Sequence, residues 1–131
     1  MKKLIILFSF VLIGLNLFAQ SDSATYYFNK AYYSPNSKYK IVNYTKYLRL
    51  IPYNVRVYIN RGNAYKKLGK YQLAIDDYSR AIRINPDYAD AYNNRGSAKE
   101  EFRKYYCDDY KKACELGFNS ACSWFSKQCK Y

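Results

Sequence analysis

The sequence predicts an all-α fold, an α–α superhelix of three helix hairpins followed by a C-terminal capping helix. Two observations support this prediction. The segment YINRG at positions 58–62 returns as YNNRG at 92–96, a shift of 34 residues. Apolar residues recur at helical spacing, and no stretch alternates as a strand would. A fixed period of this length is typical of a protein built from stacked repeats.

The first 19 residues predict a secretory signal peptide. A positive start, Met1-Lys2-Lys3, precedes a 15-residue apolar segment at 4–18, and Ala19 is the small residue expected at the cleavage point. An uncleaved membrane anchor is the alternative, but 15 apolar residues are short for a span of about 20. The expected product is one secreted or periplasmic domain, residues 20–131, of a bacterial type and without a membrane span.

The first repeat, about 21–54, contains helices predicted over 21–33 and 38–50. Pro35 ends the first of these helices, because the residue before a proline is disfavoured in helical conformation. Pro52 closes the repeat.

The second repeat, about 55–88, contains helices predicted over 55–68 and 71–84. Asn54 is a favourable N-cap residue for the first helix. Gly69 stands where a glycine commonly ends a helix.

The third repeat, about 89–118, contains helices predicted over 89–102 and 105–116. When Gly96 is aligned with Gly62, Cys107 falls two residues earlier than the matching Ile75. The sequence therefore predicts a shortened turn in this hairpin. A capping helix is predicted over about 119–130.

The second repeat resembles the tetratricopeptide repeat, and parts of its pattern recur on both sides. The family pattern W-x2-L-G-x2-Y, A-x3-F and P is present as Tyr58-x2-Arg61-Gly62-x2-Tyr65, Ala74-x3-Tyr78 and Pro86. The resemblance implies a concave groove, lined by the first helix of each hairpin, that binds a peptide or protein segment. The candidate groove residues are Asn29, Tyr32, Tyr33, Arg56, Asn63, Lys66, Lys67, Asn93 and Ser97.

Some members of the family hold a C-terminal carboxylate with lysine, asparagine and arginine residues at fixed positions. By resemblance, Asn29, Asn60 and Asn63 match that set. Thr25, Asp90 and Asn94 stand where the set has basic or other residues, which argues against binding of a chaperone tail, as does the predicted export.

Four cysteines lie at intervals of seven, eight and seven residues near the C-terminus. In an antiparallel helix hairpin, facing residues have a constant sum of positions. Only the pairing of Cys107 with Cys129 and Cys114 with Cys122 meets this condition. Disulfides persist after export, whereas the tight C-x2-C spacing of zinc and redox sites is absent. Free buried thiols are the other alternative.

The segment 113–122 also resembles Sel1-like repeats, and that resemblance implies cysteine pairs that join helix hairpins.

Composition limits the function classes. The chain has no histidine, so the usual general base is missing. The acidic neighbours Asp76-Asp77, Glu100-Glu101 and Asp108-Asp109 are predicted on solvated helix faces. No enzyme, cofactor or metal is predicted, and export with scattered basic residues argues against nucleic acid.

The expected partner is a protein or peptide. The net charge of +12 and the 18 tyrosines leave an acidic partner or a cell-wall glycan as alternatives, beside a structural subunit or spacer of an envelope assembly.

Overall fold

A computed structural model describes the backbone of residues 2–129 and the side chains of residues 17–129. This part of the chain contains seven α-helices and no strand, which confirms the predicted all-α architecture. The helices are α1 (Lys2–Tyr32), α2 (Ser37–Leu50), α3 (Val55–Lys67), α4 (Tyr71–Ile84), α5 (Ala89–Glu101), α6 (Cys107–Glu115) and α7 (Asn119–Gln128).

Each helix packs against the next one in the chain, and α3 also contacts α5. The main core therefore runs through the first five helices. It pairs large rings with alanines, because an alanine on one helix leaves room for a ring from its neighbour. The fully buried rings are Tyr44 and Tyr78, and the buried alanines of this core are Ala24, Ala31, Ala74, Ala81, Ala91 and Ala98. A second, smaller cluster is centred on Tyr110, Ala113 and Ala121 of α6 and α7.

Helix α1 begins at Lys2 rather than at Ser21, because the apolar leader and the first predicted helix are continuous. The predicted signal peptide falls largely on Met1 and on side chains 2–16, which lie outside the described residues. The predicted end of the capping helix at Lys130 also lies outside them. No helix among the described residues is long and apolar enough to cross a membrane.

Helix ends follow the sequence signals at the second repeat. The side-chain oxygen of Asn54 accepts a hydrogen bond of 3.1 Å from the Val57 amide, which confirms the predicted N-cap. Gly69 has φ +70° just after α3, which confirms it as the residue that ends that helix.

In the third hairpin, Arg103 occupies the position that Gly69 has in the second hairpin, and its φ is 55°. A left-handed backbone costs a non-glycine residue about 1–2 kcal/mol. The hairpin has also lost two residues, and α6 starts at Cys107 rather than at the predicted Tyr105. Helix α6 has 9 residues, whereas α4 has 14.

Two arginines form ion pairs with buried carboxylates at the hairpin interfaces. Arg61 donates two hydrogen bonds to Asp77, at 2.8 and 2.7 Å, and a third of 3.0 Å to the Thr45 hydroxyl. Its guanidinium therefore connects α2, α3 and α4. Burial raises the pKa of the Asp77 carboxyl, because desolvation outweighs the hydrogen bonds from Arg61.

The same arrangement recurs one repeat later. Arg95 bonds to Asp109 at 2.6 Å and to the Ser79 hydroxyl at 3.1 Å. The prediction that Asp77 and Asp109 are solvated is therefore wrong, since each is 3% exposed. The second helix of a hairpin turns one acidic neighbour inward and leaves the other in solvent.

Gly62 allows the two helices of the second hairpin to approach closely. A Cβ added there would lie 2.7 Å from Cε1 of Tyr78, whereas the matching Cβ on Gly96 would lie 3.3 Å from Cε2 of Tyr110. Gly62→Ala is therefore expected to lower the free energy of unfolding by about 1–3 kcal/mol. Gly96→Ala should cost less than about 1 kcal/mol, because alanine also favours the helix.

Urea denaturation of both variants checks this prediction, and Gly96→Ala is the matched control. Equal stability of the two variants would contradict the close approach at Gly62.

Candidate binding groove

The first helices of the hairpins, α1, α3 and α5, carry eight of the nine predicted groove residues, and Tyr33 directly follows the end of α1. An open cavity of about 340 Å³ lies between α3 and the first hairpin, and we call it the groove pocket. It is lined by Tyr32, Ser34, Pro35, Ser37, Lys40, Tyr44, Asn60, Asn63, Ala64 and Lys67. The structure thus brings three of the predicted residues together: Tyr32, Asn63 and Lys67.

The prediction missed the side of the groove pocket that comes from α2 and the preceding turn. Lys40 and Tyr44 belong to the second helix of the first hairpin, and the family positions used for prediction lie on first helices only. The signal that could have found Lys40 is the N-cap at Asn36, whose side-chain oxygen accepts from the Tyr39 amide at 3.0 Å. It fixes the start of α2 and places Lys40 within one turn of it.

The groove pocket is cationic and rich in hydrogen-bond donors. Lys40 and Lys67 are its charged residues, and no acidic side chain lines it. The Lys40 ammonium donates a 3.3 Å hydrogen bond to the Tyr32 carbonyl. The Tyr78 hydroxyl donates to Oδ1 of Asn63 at 2.6 Å, which leaves the NH2 group of Asn63 for a ligand.

Tyr44 forms the floor of the groove pocket. It is 1% exposed, and burial raises the pKa of its hydroxyl despite a hydrogen bond with Asn60. It therefore remains a neutral group at physiological pH.

The remaining predicted residues are distributed along the groove. The Lys66 ammonium donates to the Ser97 hydroxyl at 3.0 Å and so links α3 to α5. Asn29 and Tyr33 are exposed, and Asn93 is half-buried. Arg56 lines a separate cavity of about 290 Å³ with Thr25, Phe28, Tyr47 and Asn54.

Arg56 and Lys67 are therefore at opposite ends of α3, about 16 Å apart at 1.5 Å per residue. The groove is longer than one pocket.

The far end of the groove carries negative charge. The Tyr110 hydroxyl donates to Glu100 at 3.2 Å, and Glu101 is exposed. Burial and the nearby Glu100 carboxylate raise the pKa of Tyr110 above its usual value. The groove is thus cationic beside α2 and acidic at the end of α5.

The structure joins Cys107 to Cys129 and Cys114 to Cys122, which is the pairing that the sequence predicts. The Cα atoms lie 5.8 and 4.7 Å apart. The inner bridge connects α6 to α7, and the outer bridge connects α6 to the C-cap residue of α7. Helix α7 is thereby held against α6. The resemblance of this segment to Sel1-like repeats stays a prediction.

The family comparison agrees with the repeat pattern and the hairpin geometry. Residues 55–88 match the family model described as Tetratricopeptide repeat. Residues 55–88 are a tetratricopeptide repeat. The matched segment is α3, α4 and the turns around them, which is the repeat that carries the close approach at Gly62. No curated protein sequence matches the chain.

Solved tetratricopeptide repeat domains have the same fold. The second such domain of human RPAP3, in complex with the HSP70 peptide SGPTIEEVD, is 26% identical, with a TM-score of 0.73. The match covers 88% of this chain and 99% of that chain. The first such domain of Spaghetti (RPAP3), bound to the HSP90 peptide SRMEEVD, is 29% identical over 85% of this chain and 90% of that one, with a TM-score of 0.66.

The tetratricopeptide repeat domain of Arabidopsis OM64 is 24% identical, with a TM-score of 0.73. The match covers 83% of this chain and 98% of that chain, and it shows only that the two have the same fold.

Proposed function

We propose that this protein is an exported interaction module that binds a peptide or protein segment in its concave groove. An acidic group of that segment would occupy the groove pocket. The observation that carries the proposal is the pair of lysines, Lys40 and Lys67, around a cavity of about 340 Å³ without an acidic lining residue.

The donors of the groove pocket suit a peptide carboxylate and its adjoining backbone. The two ammonium groups would form charge-assisted hydrogen bonds to carboxylate oxygens, which are stronger than neutral ones. The NH2 group of Asn63 would donate to a backbone carbonyl beside that carboxylate, since its oxygen is already held by Tyr78. A peptide continuing along α3 and α5 would then meet the Lys66–Ser97 pair and the acidic end at Glu100.

The structural relatives support a peptide partner. Two domains of RPAP3 with this fold are bound to the peptides SRMEEVD and SGPTIEEVD, both of which end in acidic sequences. In this chain the lysines of the groove pocket come from α2 and from the end of α3.

Export is the second part of the proposal. It rests on the predicted signal peptide at 1–19 and on the two disulfides, which persist in oxidising compartments. N-terminal sequencing of the secreted or periplasmic chain tests it, and the expected first residue is Gln20. A mature chain that still begins at Met1 would contradict export by cleavage.

Charge reversal in the groove pocket tests the peptide proposal. Lys67→Glu and Lys40→Glu are each expected to weaken binding of fluorescein-labelled SRMEEVD at least about tenfold, because each removes an attractive charge and adds a repulsive one. Fluorescence anisotropy measures the affinity. Lys38→Glu is the matched control, since Lys38 is exposed on α2 outside the groove pocket.

Equal loss in all three variants would indicate binding by net charge alone and would contradict the proposal. The same peptide with glutamines in place of its acids should bind weakly to the unmodified protein.

Exposed tyrosines favour one alternative, a cell-envelope glycan in the same groove. Tyr32 and Tyr33 are 54% and 79% exposed, and their rings meet edge to face with centroids 5.2 Å apart. Tyrosine rings provide flat faces that suit sugar stacking. Loss of cell-wall capture by Tyr33→Ala, with peptide binding unchanged, would favour this alternative.

A further inference from the structure

A second cavity lies outside the concave groove, between the loop after α2 and the end of α4. It has a volume of about 370 Å³ and shares no lining residue with the groove pocket. We call it the arginine pocket. It is lined by Pro52, Tyr53, Tyr58, Arg80, Arg83 and Ile84.

The two arginines of this pocket have no ion-pair or hydrogen-bond partner within the described part of the chain. Arg80 and Arg83 lie three residues apart on α4, and residues at this spacing share one helix face. Neither forms an ion pair or hydrogen bond with another described residue, although the charge of Arg80 acts on Asp77. The nearby carboxylates are engaged elsewhere: Asp77 pairs with Arg61, and Asp76 accepts a hydrogen bond from Gln72 at 2.8 Å.

Aromatic and aliphatic side chains form the rest of the arginine pocket. Tyr53 is 81% exposed at the loop, and the Tyr58 ring is held by the Arg61 guanidinium, 5.6 Å from the ring centroid. Pro52 and Ile84 complete the apolar side. The pocket therefore offers two guanidinium groups next to a surface that can bury an apolar body.

The next hairpin has no such pair of free cations at the same positions. After the two-residue shortening, Lys112 and Glu115 replace Arg80 and Arg83, and they pair with each other at 3.9 Å. The positions one repeat earlier hold Lys46 and Arg49. Two free guanidinium groups beside a cavity are thus a property of the middle repeat rather than of the fold.

We propose that the arginine pocket binds an oxyanion, a phosphate or carboxylate, that is carried on an aromatic or aliphatic body. The guanidinium groups of Arg80 and Arg83 bind the oxyanion, since their planar donors match its geometry. The rings of Tyr53 and Tyr58 cover the apolar body. This site is independent of peptide binding in the groove.

Titration with small probes tests the proposal. Phenyl phosphate and benzoate are the two oxyanion probes, and chemical shifts of the 15N-labelled protein report their binding. Arg83→Gln and Arg80→Gln are each expected to weaken binding of the preferred probe about tenfold. Arg49→Gln is the matched control, because Arg49 is exposed at the same helix position one repeat earlier.

Comparison of the probes identifies the kind of oxyanion that is preferred and tests whether the apolar body contributes to binding. Tighter binding of phenyl phosphate would indicate a phosphate ester, and tighter binding of benzoate a carboxylate. Inorganic phosphate should bind at least about fivefold more weakly than phenyl phosphate, because it lacks the ring that the tyrosines cover.

Three results would overturn the proposal. They are the absence of shifts around Tyr53 and Arg83 with either probe, an equal effect of Arg49→Gln, and equal affinity for inorganic and phenyl phosphate.

Discussion

Arg61→Ala is expected to lower the free energy of unfolding by about 3–5 kcal/mol, because it leaves the Asp77 carboxylate buried without its cation. Asp77 is 3% exposed and receives two hydrogen bonds from Arg61. The substitution also removes the bond to Thr45 and the cationic contact with the Tyr58 ring. Denaturation in urea measures the loss.

The first hairpin suggests a second substitution that should restore the stability of this variant. The first hairpin has Tyr27 and Asn43 at the positions of Arg61 and Asp77, and Asn43 is also 3% exposed. The double variant Arg61→Tyr/Asp77→Asn removes both charges together. It should recover most of the lost stability, since a neutral pair leaves no buried charge. A double variant as unstable as Arg61→Ala would contradict this account.

The effect of Arg61→Ala should depend on pH. Burial already raises the pKa of Asp77 above its ordinary value, and loss of the Arg61 cation raises it further. Between the unfolded pKa of about 3.9 and this raised folded pKa, the folded state holds a proton that the unfolded state has released. The free energy of unfolding of the variant then falls as pH rises from about 4 through the raised pKa of Asp77, and it recovers as pH falls back toward 4. The gap between the variant and the unmodified protein is therefore expected to narrow on acidification.

Arg95→Ala should cost less than Arg61→Ala, although the two arginines are equivalent by position. Asp109 also binds the Lys99 ammonium at 2.8 Å, and this second cation remains in the variant. Asp77 has no second pair of this kind among the described residues. The comparison separates a buried unpaired carboxylate from the general loss of an arginine.

Removing the outer disulfide with Cys107→Ser/Cys129→Ser is expected to cost about 3 kcal/mol, from the entropy of a loop with a separation of 22 residues. The loss should appear first at α7, whose contacts belong to the small cluster around Tyr110 rather than to the main core. Trp124 stacks on Tyr110 with centroids 4.4 Å apart, and it is the single tryptophan of the chain. Its fluorescence therefore reports release of α7.

Cys114→Ser/Cys122→Ser is the matched control, because its bridge spans only 8 residues and should cost less. In the outer-bridge variant we expect a red-shifted tryptophan emission that precedes loss of the helical signal on heating. Coincident transitions by fluorescence and circular dichroism would contradict a separately held α7.

The repeat register made most of the fold predictable from the sequence. The period of 34 residues fixed α3 and α4 to within one residue, since Asn54 and Gly69 mark the ends of α3 by capping and by a left-handed backbone. The start of α6 was less predictable. The turn before it uses Arg103 in a left-handed conformation, and a sequence pattern gives no signal for that choice.

The site was predicted only in part. Positions on the first helices identified Asn63 and Lys67, but Lys40 comes from a second helix that enters the groove pocket from the side. The inward turn of Asp77 was missed for a related reason. Whether an acidic residue faces solvent or a neighbouring helix depends on a cation one helix away, here Arg61. The residues next to Asp77 in the sequence do not show that this cation is close.

Chemical-shift mapping with the peptide SRMEEVD tests the central claim, that the groove pocket is the place where this protein binds an acidic segment. The account predicts that the largest amide shifts occur around Lys40, Asn60, Asn63 and Lys67, and that Lys67→Glu abolishes them. Shifts confined to α6 and α7, or unchanged shifts in Lys67→Glu, would contradict it.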